Sequence, residues 1–373
     1  MSPFRRLPFA AFAAAVLALA ALTAAGCGSS DNSSTTSSSS TTASSGKAGK
    51  VAVLLPDSKS SVRWETQDRK YLGDAFKKAG VDATIVNAEG DPATQRSQAE
   101  QAITNGAKVL LLVDLDPGSG SAIIANAKKS GVKVIDYDRL TLGGGADYYV
   151  SFDNEAVGKL QGEGLVKCLK GKTKPVVAEL NGSPTDNNAT LFANGYNSVL
   201  NPLYKNVTYV KGPNQSVPDW DNQKALTIYE QMLQSTSNKI DGVLAANDGL
   251  ANSVISAQKA RKLAQIPVTG QDATAQGIQN ILSGDQCMTV YKAVRAEAAA
   301  ASALAIALAK GQTPTTTATT DNKGTKTPSV LLTPVAVTKD NINDTVIKDG
   351  FLTTKEICSG KYAQECKDAG ITS

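Results

Sequence analysis

Short, almost wholly apolar runs alternate with amphipathic segments along most of this chain. Residues 51–55 (VAVLL), 83–87, 109–113 (VLLLV) and 132–136 read as strands, and strands without a polar face must be covered on both sides. The segments between them carry helical spacing and punctuation. Residues 64–79 stop before Gly80, and Asp91 caps the next helix, with Pro92 at its first position and Gly106 after its end. A third helix is predicted over 119–130. This combination requires a parallel sheet with helices on both faces.

The strand 132–136 leads directly to Asp138 and Arg139. In an open α/β sheet, polar groups beyond a strand's carboxyl end face the ligand crevice. A glycine-rich loop and an extended run, 148–152, come next, and Asp153-Asn154 are assigned to a hinge and a helix cap. The pattern then restarts with helix 154–168, strand 175–180, a helix from 188, strand 207–211 and helix 221–234. It continues with strand 242–245, helix 249–261, strand 267–270, helix 273–283, an extended run 287–291 and an alanine-rich helix 294–310. Residues 311–327, rich in threonine, read as a loop, and 329–337 as a last strand-like run. At 373 residues, two lobes are expected, binding a polar small molecule between them.

The net charge is only +4, without a basic stripe, so nucleic acid is not an expected partner. Histidine is absent, which removes the commonest general base and any histidine-held metal. No cofactor or metal is expected. At the amino end, Arg5 and Arg6 precede an apolar run, 7–22, and small residues lead to Cys27 in TAAGC. That order is a secretory signal over 1–26, and a cysteine after Ala-Ala-Gly resembles the lipobox of bacterial lipoproteins. Residues 27–49, almost all Ser, Thr, Gly and Asn, cannot bury enough surface to fold and read as a tether. A monomer anchored to the outer face of a membrane by lipid on Cys27 is the expectation.

The segments DYDR (136–139), SFDNE (151–155), SPTDNNA (183–189), KIDGVLAAND (239–248), GQDA (270–273), MTVYK (288–292) and DTVIKDGF (344–351) carry a resemblance that runs from Lys50 to Phe351. They are similar to the D-xylose-binding branch of the solute-binding proteins of bacterial ABC sugar importers. The resemblance implies the type I periplasmic-binding fold: two doubly wound α/β lobes with parallel sheets, joined by a three-segment hinge. The crossings would fall near 149–153, 289–292 and 329–333. The first lobe would comprise 50–151 and 292–329, the second 152–291 and 330–350, leaving a cysteine-containing tail, 351–373. An ABC permease with a cytoplasmic ATPase would be the partner.

Carried over residue by residue, the resemblance places Arg63, Trp64, Asp138 and Arg139 on the first lobe. It places Asp186, Asn188, Trp220, Asn247 and Asp272 on the second, and Lys292 at a hinge crossing. These residue types suit a pyranose, whose faces stack on aromatic rings and whose hydroxyls need both acceptors and donors. Each also has a plainer reading. Asn188 and Asn247 could cap helices, Asp186 could serve a turn, Trp64 could be core, and Arg139 and Lys292 could form surface pairs. Small residues around Asn247 (Ala245, Ala246, Gly249) would let backbone approach a ligand.

Three other classes compete with a non-catalytic receptor. A sugar-active enzyme would use Asp138, Asp186 and Asp272, but Arg139 and Lys292 are placed to keep such carboxylates ionised. A regulator would need a DNA-binding module ahead of Val51, where the signal and tether lie. A receptor for a signalling molecule on the same fold stays open. Cys168, Cys287, Cys358 and Cys366 form an even set in an oxidising setting. Pairing of Cys358 with Cys366, and so of Cys168 with Cys287, is expected, although sequence leaves the connectivity open.

Overall fold

The apolar runs pair as parallel strands in the computed structural model of the protein, which describes residues 48–371. The signal, Cys27 and all but the end of the tether lie outside those residues. Ala48 packs on the first core and Gly49 N donates to Ala309 O at 2.8 Å, so the folded body begins slightly before Lys50.

The first half runs β1 (Lys50–Leu55), α1 (Arg69–Ala79), β2 (Ala83–Asn87), α2 (Pro92–Thr104), β3 (Ala107–Leu112), α3 (Pro117–Lys129), β4 (Lys133–Tyr137) and β5 (Tyr148–Phe152). Next come α4 (Asn154–Cys168), β6 (Val176–Asn181), α5 (Asn187–Lys205), β7 (Val210–Ser216), α6 (Asn222–Ser235), β8 (Gly242–Ala245), α7 (Asp248–Ala260) and α8 (Ala275–Ser283). Last are β9 (Thr289–Tyr291), α9 (Val294–Ala309), β10 (Ala318–Asn322), β11 (Thr325–Leu332) and β12 (Val335–Val337). One sheet has the order β10-β11-β5-β4-β3-β1-β2, parallel except for β10; the other is β7-β6-β8, all parallel. The chain passes between them after β5, β9 and β11, and β9 pairs antiparallel with β12. This is the two-lobed, doubly wound α/β architecture of the type I periplasmic-binding fold.

Local chemistry sets the helix ends. Gly80 closes α1 with φ 66°, a left-handed conformation that costs glycine little. Asp91 and Asp116 cap α2 and α3, each followed by proline at the first helical position, so α3 starts two residues ahead of its predicted bound. Leu72 and Phe76 of α1 bury against Val53, Leu55, Val109 and Leu111 on one side and Ala298, Ala301 and Ala305 of α9 on the other. Truncating a buried phenylalanine such as Phe76 to alanine typically costs about 3–5 kcal/mol.

Three segments differ from their sequence-based assignment. The threonine-rich 311–327 is not all loop: β10 and β11 form a hairpin turned by Lys323 (φ 52°) and Gly324 (φ 85°). Two positive φ angles match the strand twist, and because β10 is a half-exposed edge strand its residues can be polar. The strand predicted at 207–211 is displaced to 210–216. The one at 267–270 is reduced to a single bridge, Val268 to Val243. The cysteine-containing tail packs on the body. Phe351, Leu352, Ile357, Cys366 and Ile371 are buried with Ile278 and Ile281 of α8. Cys168 is bonded to Cys287 and Cys358 to Cys366.

Candidate functional site

The β2-β1-β3-β4-β5 and β7-β6-β8 sheets face each other with their strand carboxyl ends, and the residues just beyond those ends converge. Ser60, Ser61, Arg63, Trp64, Asp138, Arg139, Asp186, Asn188, Phe192, Trp220, Asn247, Gln271, Asp272 and Lys292 line one cavity between the lobes.

On the first lobe, the chain leaves β1 and enters a π-helical turn, Trp64–Asp68, ahead of α1, a rare geometry that is frequent at functional sites. It turns Arg63, Trp64 and Asp68 inward, and all three are buried. Arg63 donates to both oxygens of Asp68 (2.8 and 2.7 Å), to Asp138 Oδ2 (2.8 Å) and to Glu297 Oε2. Four of its five N–H donors are thereby engaged, so Arg63 offers a ligand at most one and mainly orients Asp138. The Trp64 indole donates to Ser60 Oγ at 3.1 Å and lies under the Arg63 and Arg139 guanidinium groups.

The second lobe supplies the opposite wall. Asp186 caps α5 through Asn188 N (2.9 Å), accepts from Trp220 Nε1 (3.1 Å), and meets Arg139 Nε across the cleft at 3.2 Å. Asn188 Nδ2 also crosses it, donating to Asp138 O and Oδ1 at 3.1 and 3.0 Å. Asn247 accepts the α7 cap bond from Leu250 N at 2.9 Å while its amide points toward Ser60 O, 3.4 Å away. Lys292, at the second crossing, stands 3.3 Å from Asp138 and 3.8 Å from Asp272. Asp138 (φ 62°), Trp220 (φ 55°) and Asp272 (φ 97°) occupy the left-handed half of backbone space, strain of a kind that concentrates at functional sites.

The lining carries three carboxylates (Asp138, Asp186, Asp272) and three cations (Arg63, Arg139, Lys292), which suits a neutral ligand rich in hydroxyls. Burial alone would raise Asp138, but Lys292, Arg63 and Arg139 together hold it at about 2, so it stays a carboxylate acceptor. Asp186 goes the other way. Burial raises it despite Arg139, which corrects the expectation that the neighbouring cations would hold every pocket carboxylate down. Among the described residues no cluster of three or more metal-ligating side chains occurs.

Behind the pocket, burial pushes Glu297 up to about 8, against Arg63, and Asp136 up to about 7, against its hydrogen bonds from Thr141. A carboxylate raised on folding favours the folded state fully below its unfolded pKa near 4, and loses that contribution as pH climbs through its folded pKa. The melting temperature of the ligand-free protein is therefore expected to fall by several degrees from pH 5.5 to 8.5, and Asp136→Asn should flatten the slope. A melting temperature that rises over that range contradicts the assignment. Asp138, shifted downward, matters only below about pH 4.

All ten residues singled out in the sequence lie on this one cavity. The plainer readings hold alongside for some. Asp186 and Asn247 are caps as well as lining, and Trp64 belongs to the first core. They fail for Arg139 and Lys292, which are buried and not surface pairs. Asn188 is not the α5 cap; Asp186 is. The small residues around Asn247 do not reach the cavity: the Ala245 and Ala246 carbonyls accept from Gln161, and Gly249 lies against Asn222. Asn154 has a larger part than hinge and cap. Asp153 makes the cap bond, while Asn154 Nδ2 donates to Asn188 Oδ1 at 2.9 Å. That contact exists because α4 and α5 touch through Gly158 and Gly195, where a Cβ would collide with the other helix's backbone. Ser60, Ser61, Phe192 and Gln271 were missed. Phe192 was signalled by lying one turn after Asn188 on the same face of α5.

Residues 51–313 match the family model for the periplasmic binding protein domain. The chain is 38% identical over 296 residues to the D-xylose-binding periplasmic protein of Haemophilus influenzae, covering 79% of this chain and 88% of that one. It is 37% identical over 312 residues to the D-xylose-binding periplasmic protein of Escherichia coli, covering 83% and 93%. Among solved structures, a carbohydrate transporter solute-binding protein from Chloroflexus aurantiacus in complex with D-glucose superposes with a TM-score of 0.76 at 31% identity, over 82% of this chain and 97% of that one.

Proposed function

The chain belongs to the periplasmic binding protein family, and from that premise we propose that it is an extracytoplasmic sugar receptor of an ABC importer whose ligand is a pentopyranose, D-xylose. One observation carries this reading. Trp64, Trp220 and a balanced set of three carboxylates and three cations, drawn from both lobes and the hinge, line one cavity. Trp64 and Trp220 take the ring faces; Arg63, Asp138, Arg139, Asp186, Asn188, Asn247, Asp272 and Lys292 take the hydroxyls. The lobes 50–151 with 292–329, and 152–291 with 330–350, close as two bodies because the sugar touches both. The closed form is handed to a permease driven by a cytoplasmic ATPase. The receptor is read as acting as a monomer.

Calorimetry with D-xylose and D-glucose tests the ligand. Xylose binding with much weaker glucose binding is expected, and tight glucose binding sinks the pentose assignment. The D-glucose complex of the Chloroflexus relative makes another monosaccharide the second reading. The enzyme reading fares worse: Asp138, held at about 2, is no general acid at neutral pH, and Asp186, though raised by burial, is engaged by Asn188 N, Trp220 Nε1 and Arg139. Xylosides incubated with the protein should therefore yield no product.

The TAAGC stretch supports a lipid on Cys27 that tethers the receptor to the cell membrane. Cys27→Ser is expected to release the protein from the membrane fraction; retention there would require a different anchor.

A further inference from the structure

The loop 271–274 is a strained part of the site. Asp272 (φ 97°) and Ala273 (φ 51°) are consecutive non-glycine residues at positive φ, and neither has a local reason to be there. What holds them is Asp248, next in sequence to Asn247 but absent from the cavity wall. Its side chain is wholly buried. The carboxylate accepts from Thr274 N (2.8 Å), Thr274 Oγ1 (3.1 Å), Gln286 Nε2 (2.8 Å) and Thr289 Oγ1 (2.8 Å). Its own N–H donates to Gln271 O at 2.9 Å, so both ends of the loop are tied to this one residue.

The surroundings are fitted to that carboxylate. A Cβ at Gly270 or Gly277 would collide with it. Thr289 Oγ1 also accepts from Ala273 N at 3.3 Å, and Asp272 N donates to Val290 O at 2.9 Å, which joins the loop to the hinge strand β9. Among the described residues no cation pairs with Asp248. A buried carboxylate without a counter-ion is costly. A neutral side chain would be the better tenant unless all the acceptor positions were in use, and here four donors use them.

We infer that Asp248 is a positioning residue for sugar recognition, fixing the 271–274 loop so that Asp272 presents its carboxylate to the ligand chamber. This rests on Asp272 being a sugar ligand as proposed above. A carboxamide at 248 keeps the size but turns an N–H₂ group toward N–H donors, so the loop should relax out of its strained turn.

A double-mutant cycle separates this role from general damage. D-xylose affinity is measured by calorimetry for the wild type, Asp248→Asn, Asp272→Ala and the double variant. Asp248→Asn is expected to weaken binding at least ten-fold in the wild-type background and less than two-fold in the Asp272→Ala background. Wild-type affinity in Asp248→Asn overturns the inference, and so does an equal loss in both backgrounds, which a merely structural role would produce. Wild-type affinity in Asp272→Ala removes the ligand assignment and this inference with it, and that failure is read from the single variant. If Asp248→Asn lacks a cooperative melt, Thr289→Val, which deletes one donor to the carboxylate, replaces it in the cycle. It should weaken binding at least three-fold, with the same dependence on Asp272.

Discussion

Arg139→Ala is expected to weaken D-xylose binding by roughly one and a half to three and a half decades, from a loss of about 2–5 kcal/mol at about 1.4 kcal/mol per decade. Arg139 is buried and reaches in three directions. Nε meets Asp186 of the opposite lobe at 3.2 Å, and the terminal nitrogens donate to Asp114 O (3.1 Å) and Ser60 Oγ (3.3 Å). Deleting it removes a ligand donor and also the ion pair that spans the closed cleft. Asp114 and Asp186 are both raised by burial and both lowered by Arg139, so its loss shifts each further toward the neutral form. That relief is why the fold should survive while closure suffers. Arg139→Lys should recover little, since an ammonium cannot reproduce the fork that serves Asp186, Asp114 and Ser60 at once. Calorimetry on both variants with a thermal melt as control decides the matter. Wild-type xylose affinity in Arg139→Ala would falsify its place in the ligand set.

The second large effect concerns the Cys168–Cys287 bond. It closes a sequence separation of 119 residues and joins the end of α4 to the approach to β9. Constraint of the unfolded chain grows with loop length, so Cys168→Ser with Cys287→Ser should cost about 2–4 kcal/mol. At about 2 °C per kcal/mol for a large domain, the melting temperature should drop by roughly 4–8 °C. The Cys358–Cys366 bond spans only 8 residues, and its loss should lower the melting temperature less. Differential scanning calorimetry of the two paired-serine variants checks the order. Equal effects, or a larger one from the tail, would show that loop constraint is not what these bonds contribute.

Asp138-Arg139 and Asn247 show how far a single sequence reaches. Each follows a run whose apolar character makes it a strand, and the crevice lies beyond strand ends, so their placement needed no knowledge of distant segments. Asp91-Pro92, Asp153 and Gly80 were legible for a similar reason: a cap bond or a left-handed residue joins groups within a few positions. The hairpin of β10 and β11 was not legible, because an edge strand half in water needs no apolar face to report it. Asn154 read as a hinge and cap residue and Asp248 drew no reading of its own, because nothing local distinguishes a helix-start residue from a group that braces a binding loop.

The sequence by itself determined the alternation of strands and helices, the two lobes, the caps and the chemical types at the mouth of each strand. Those properties arise from interactions within a turn or a strand. Only the tertiary structure decided which charges meet. Arg63 lies 5 residues from Asp68, 75 from Asp138 and 234 from Glu297. Its donors are divided among all three because the turn ahead of α1, the end of β4 and α9 meet within the first lobe. Coulomb and hydrogen-bond energies change steeply over an ångström, and that last ångström is set by packing such as the Gly158–Gly195 contact, not by spacing along the chain.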